Sequence, residues 1–73
     1  MARYTKVNVR ASSGNTLISG ATAEGDGEAV DVSSSRVVTL ALGDTYRLDG
    51  EPNLRANATL MSQGGGLYRF KVD

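Results

Sequence analysis

The chain has 73 residues with no cysteine and no histidine, and its eight basic side chains balance eight acidic ones. These numbers exclude a disulfide framework and remove the commonest metal ligand and general base. A net charge of zero gives no whole-molecule reason to expect nucleic acid or a membrane surface as partner.

A chain this short buries only about 60 to 65% of its unfolded surface, so a single β domain over residues 1–73 has a marginal core unless something staples it. Without disulfides, association with other copies or docking on a larger partner is the remaining staple. Aromatic residues make up 5% of the chain and nine residues are glycine. Together with many Ser, Thr and Asn residues, this suits short strands joined by turns. The N-terminal M-A-R-Y-T-K-V lacks the apolar run of a signal peptide, and no stretch approaches the roughly 20 apolar residues of a spanning helix, so cytoplasmic synthesis is expected.

In chain order, residues 3–11 alternate as a first strand, with Val7, Val9 and Ala11 inward and Lys6, Asn8 and Arg10 outward. Tyr4 falls on the outward parity. Ser12 to Asn15 is a turn, and Thr16 to Ala23 a second strand in which Gly20 signals a bulge or a close backbone approach. E-G-D-G-E at 24–28 reads as a loop without regular structure. Ala29 to Ser33 is a short strand with Val30 and Val32 inward, and Ser33 to Ser35 leads out of it.

Arg36 to Asp49 has the strongest pattern. Val38, Leu40 and Leu42 share one parity, Tyr46 and Leu48 share one after Gly43-Asp44, and the whole reads as a β-hairpin. Val37 and Ala41 make its first strand apolar on both sides, the signature of a central, doubly covered strand. Gly50 to Asn53 turns the chain. Residues 54–62 fit two periods: Leu54, Ala56, Ala58 and Leu60 alternate as in a strand, whereas Leu54, Ala58 and Met61 align at helical spacing between an Asn53 N-cap and a Gly64 C-terminal cap. Gly64 to Gly66 is a connection, and Tyr68, Phe70 and Val72 alternate with Arg69 and Lys71 in a last strand. Six to seven short, mainly antiparallel strands predict an all-β fold, a small sandwich or barrel.

Chemistry is scarce. Ser and Thr hydroxyls have no His or Cys partner, and a Lys general base would need burial whereas Lys6 and Lys71 lie on outward parities, so no catalytic residue and no enzymatic activity are expected. Glu24, Asp26, Glu28 and Asp31 supply carboxylates but lack EF-hand spacing, which reads as a solvated acidic loop. Gly64-Gly65-Gly66 is followed by Leu67-Tyr68, not by the Lys and Ser or Thr of a phosphate loop. No cofactor is implied. Arg3, Lys6, Arg10, Arg69 and Lys71 would form one basic stripe beside Tyr4 if the first and last strands were neighbours.

Charge is segregated along the chain. Residues 1–23 carry three cations and no acid, and residues 24–31 carry four acids and no cation. Opposite patches on one small molecule favour contact between a basic edge, Arg3, Tyr4, Lys6 and Arg10, and an acidic loop, Glu24, Asp26, Glu28 and Asp31, on another copy or a partner.

Two resemblances follow. S-G-N-T-L-I-S-G-A-T-A at 13–23 with V-V-T-L-A-L-G-D-T-Y-R-L at 37–48 resembles the rhythm of carboxypeptidase regulatory-like domains, which implies a β-sandwich; Gly43-x-x-Tyr46 departs from it by one residue. In style, a Cys-free and His-free β-domain rich in Gly, Ser, Thr, Ala and Val is similar to the small head-decoration proteins of bacteriophage virions. That resemblance implies a homo-oligomer that docks on and cements a capsid, found in the virion. The expected function is therefore a structural one, exercised through protein contacts. The alternative is a ligand-binding module for carbohydrate or another polymer, stacking it on Tyr4 and Tyr46.

Overall fold

The period-2 alternation is realised in six strands. In the computed structural model, which describes residues 2–73, these are β1 Ala2–Ala11, β2 Thr16–Gly25, β3 Ala29–Ser33, β4 Thr45–Glu51, β5 Leu54–Gly64 and β6 Leu67–Val72. All pairings are antiparallel, and the order β1-β2-β3-β6-β5-β4 closes on itself. An even number of strands lets every neighbour run antiparallel around the ring. Closure gives every strand a neighbour on both sides, though not along its whole length: β2 meets β3 only from Thr22 to Gly25.

The interior is narrow and filled by side chains, as expected when the strand number is below eight. Val7, Val9, Val32, Leu48, Leu60, Tyr68 and Phe70 are its largest fully buried members, and Tyr46 meets Phe70 edge to face at a centroid distance of 6.1 Å. The inward parities read from sequence hold for Val7 and Val9, for Val30 and Val32, for Tyr46 and Leu48, and for Tyr68 and Phe70. The segment at 54–62 is strand: Leu54, Ala58 and Leu60 are buried, and Arg47, Leu48 and Asp49 of β4 pair with Asn57, Ala56 and Arg55. Its helical reading fails because Asn57 and Thr59 are poor helix formers and the β4 partner is at hand. Gly65 and Gly66 both have positive φ in the two-residue turn to β6, as a type I′ turn requires.

Bulges bend the strands into the ring. Between Tyr4 and Val7, β1 holds one residue more than either neighbour, and Lys6 takes up the strain at φ 52°. The extra residue reverses the parity upstream, so Tyr4 does not face outward; it is half-buried against the core, opposite Ala23. The bulge expected at Gly20 is present, at φ 70°, and puts both Ile18 and Ala21 inside. Glu24 and Gly25 extend β2 rather than belonging to a loop.

The largest correction concerns Arg36 to Asp49. Only the part from Thr45 onwards is a strand; residues 34–44 form the connection from β3 to β4. These two strands stand on opposite walls of the ring, so the connection must cross the mouth of the barrel. It cannot also pair in the wall, and the seventh strand is lost. Leu40 plugs the mouth at 6% exposure and Val38 is half-buried, whereas Val37 and Leu42, expected in a doubly covered strand, are 68% and 61% exposed.

The crossing backbone is satisfied by side chains from the wall. The Tyr68 hydroxyl accepts the Val38 N–H at 2.7 Å and donates to the Val38 carbonyl. The Gln63 amide accepts from the Leu40 N–H at 2.8 Å and donates to the Leu40 carbonyl. The Tyr46 hydroxyl accepts the Ala41 N–H at 2.9 Å and donates to the Ala41 carbonyl at 3.3 Å. A half-buried segment without a ladder thus keeps its backbone groups paired, as burial demands.

Candidate functional site

The outward residues of β1, β4 and β5 converge because these three strands are consecutive in the ring. Register stacks Arg10, Arg47 and Asn57 in one row and Asn8, Asp49 and Arg55 in the next, with Glu51 beside Thr5 and Lys6. Together they line an open groove of about 960 Å³ that runs to the Pro52-Asn53 turn. Four cations, Lys6, Arg10, Arg47 and Arg55, face two carboxylates, Asp49 and Glu51, so the groove is basic.

Asp49 organises its centre. Arg10 Nε donates to Asp49 Oδ2 at 3.0 Å and Asn8 Nδ2 to Oδ1 at 3.1 Å, while Arg10 Nη1 reaches Thr16 Oγ1 at 2.8 Å. The Arg10 hydrogen bond, ahead of that from Asn8, holds the Asp49 carboxyl below the ordinary carboxylate range. Lys6 reaches Glu51 at 3.7 Å, both well exposed. Arg47 and Arg55 make no ion pair among the described residues.

The acidic residues occupy the other half of the ring, on β2 and β3 and the hairpin between them. Glu24 and Asp31 are cross-strand neighbours, flanked by Arg3 at 3.8 Å and Arg69 at 3.9 Å, in an exposed row across β1, β2, β3 and β6. Exposed pairs at that separation contribute little. Asp26 builds the hairpin: its Oδ1 accepts the N–H groups of Glu28 and Ala29 at 3.0 and 3.2 Å, and these bonds hold its carboxyl below the usual range. Glu28 is exposed at the tip. Glu24, Asp26 and Asp31 with Arg69 line a shallow cleft of about 250 Å³. Among the described residues, no group of three or more carboxylates, the chain having no His or Cys, comes together as a metal centre.

Three expectations therefore need correction. Arg3, Tyr4, Lys6 and Arg10 do not act as one basic edge: Arg3 faces Glu24, Tyr4 is partly buried, and only Lys6 and Arg10 enter the groove. The stripe joining the two terminal strands does not form, since β1 adjoins β2 and β4 while β6 adjoins β3 and β5. Tyr46 is 5% exposed and offers no stacking face. Reading the sequence alone passes over Arg47, Arg55 and Asn57, whose signal is the outward parity of β4 and of the strand reading of 54–62.

Hydrophobic exposure is concentrated elsewhere. Val37, Leu42, Met61 and Leu67 are the large exposed apolar side chains, each at least 56% exposed. All four lie at the mouth crossed by residues 34–44. A side chain on Gly66, which precedes Leu67, would come within 3.9 Å of Val37, and Gly43, which follows Leu42, donates to the carbonyl of Leu60 beside Met61. Met61 is the extra residue of a bulge in β5, which turns it outward.

Fold and surface together define a small closed antiparallel barrel with a basic groove, an acidic hairpin and one apolar end. No family model matches the chain, and comparison with curated proteins and with solved structures finds no significant match. Among the described residues, no helix is long and apolar enough to cross a membrane.

Proposed function

We propose that the chain is a non-enzymatic structural protein that associates with its own copies and decorates or cements a larger assembly, such as the capsid of a virion. The observation that carries this reading is the apolar end: Val37, Leu42, Met61 and Leu67, the large exposed hydrophobic side chains among the described residues, lie around one mouth of the barrel. Clustered exposure of this kind marks an interaction surface. Association would also supply the staple that a core of this size needs.

The test is the melting temperature at rising protein concentration, for the native chain and for Leu42→Ser/Met61→Ser. Both positions face solvent, so the isolated barrel should fold unchanged. The expected result is a melting temperature that climbs with concentration in the native chain and climbs less steeply in the variant. A flat native curve would overturn the proposal, as would a variant that associates as well as the native chain.

A further inference from the structure

The basic groove and the acidic hairpin lie on opposite sides of the ring, since β4 stands across from β3 and β1 across from β6. The groove holds four cations against two carboxylates, with Arg47 and Arg55 unpaired among the described residues; the hairpin side holds Glu24, Asp26, Asp31 and, at the tip, Glu28 against two cations, Arg3 beside Glu24 and Arg69 beside Asp31. Asp26 shapes the hairpin turn by accepting the N–H groups of Glu28 and Ala29, and the four acidic residues are exposed. The groove opens on the outer face of β1, β4 and β5 and runs towards the end of the barrel that carries that hairpin, away from the apolar mouth.

Lys6 adds a second line of argument. It is the one non-glycine among the described residues with positive φ, a conformation that glycine would adopt without strain. A strained residue retained at a cleft points to a use for its side chain. Here that use is a cation at the groove wall.

We propose that the β1-β4-β5 groove receives the acidic β2-β3 hairpin of a second copy, giving a head-to-tail contact. This rests on the self-association proposed above and names the charged part of it. A groove and a hairpin on opposite sides make the contact heterologous, so repetition yields a ring when the rotation closes and a filament when it does not. The apolar end lies outside this contact and contributes to association separately. Arg47 and Arg55 steer and hold the incoming Glu24 and Glu28, and the contact weakens with salt because charges at an exposed rim are screened over about 8 to 10 Å at ordinary ionic strength.

A charge swap tests this. Full-length R47E/R55E reverses the groove, full-length E24K/E28K reverses the hairpin, and R47Q/R55Q serves as the milder groove variant; circular dichroism confirms that each folds. In sedimentation at low salt, each reversed variant alone should lose association by roughly tenfold or more, and R47Q/R55Q by less. Mixing the two reversed variants in equal amounts should restore it, because each groove then meets a hairpin of opposite charge. A mixture that stays dissociated overturns the proposal. So does loss in the groove variants with none in E24K/E28K, which would assign the groove to a different anion. If the native chain associates and ignores every reversal, the head-to-tail contact fails while the apolar end stands; if the native chain never associates, the broader reading fails as well.

Discussion

Gln63 holds Leu40 by both of its backbone groups, accepting from the N–H at 2.8 Å and donating to the carbonyl. One side-chain amide thus replaces two ladder bonds at the point where Leu40 plugs the barrel. Gln63→Ala strands both groups in a partly buried site, a loss of about 1 to 3 kcal/mol. For a domain of this size that lowers the melting temperature by roughly 4 to 24 °C. Thermal denaturation at low protein concentration, where association does not contribute, measures it; an unchanged midpoint would mean that the crossing segment is held by Leu40 alone.

The two glycines of the β5-β6 turn respond differently to substitution. A Cβ on Gly66 would stand 2.4 Å from the Ser34 carbonyl oxygen, and its φ is +84°; at Gly65 nothing lies within 4 Å. Gly66→Ala must push the crossing segment away, breaking the Ser34 N–H bond to the Gly66 carbonyl at 2.8 Å. Gly65→Asn keeps a left-handed conformation that Asn tolerates. The expected costs are about 2 to 4 kcal/mol for Gly66→Ala and under about 1 kcal/mol for Gly65→Asn, read from denaturant midpoints. Equal costs would contradict the close approach at Ser34.

Asp49 makes acid stability depend on Arg10. Its folded carboxyl titrates below the unfolded value of about 3.9, so the stability it supplies is present above about pH 4 and is lost as pH falls through the lowered folded value. Asp49→Asn should therefore be less stable than the native chain at about pH 7, and the difference should shrink towards about pH 2 to 3. Melting curves at the two pH values decide this. A constant difference would remove the carboxylate from the argument and leave only its packing.

Lys6 separates stability from assembly. Lys6→Gly relieves the left-handed strain of the bulge, worth about 1 kcal/mol, against a comparable entropy cost of glycine in the unfolded chain. The folded barrel should be about as stable as before, while the groove loses a cation and association weakens. Melting at low concentration and sedimentation at high concentration report the two effects separately. A stable barrel with undiminished association would take Lys6 out of the groove's work.

Much of the barrel is legible in the amino-acid sequence, because parity needs only the order of residues along the chain. Val7, Val9, Val30, Val32, Tyr46, Leu48, Tyr68 and Phe70 announce their face through their neighbours' polarity. What parity cannot supply is topology. The apolar run from Val37 to Leu42 has the composition of a strand, yet it serves as a lid because β3 and β4 stand on opposite walls and the chain must cross between them. Tyr4 is misplaced by the same limit at smaller scale: one bulged residue at Lys6 reverses every face upstream, and nothing in Arg3-Tyr4-Thr5-Lys6 marks it. The candidate site is half legible. Its acids cluster at 24–31, but its cations at Lys6, Arg10, Arg47 and Arg55 meet only once β1 closes against β4.

The central claim is that this barrel works by associating with itself, and sedimentation velocity of the native chain over a wide concentration range at low and high salt tests it most directly. The account predicts a sedimentation coefficient that rises with concentration and falls back as salt screens the groove and hairpin. A single monomeric species at every concentration and salt, with a high and concentration-independent melting temperature, would contradict it.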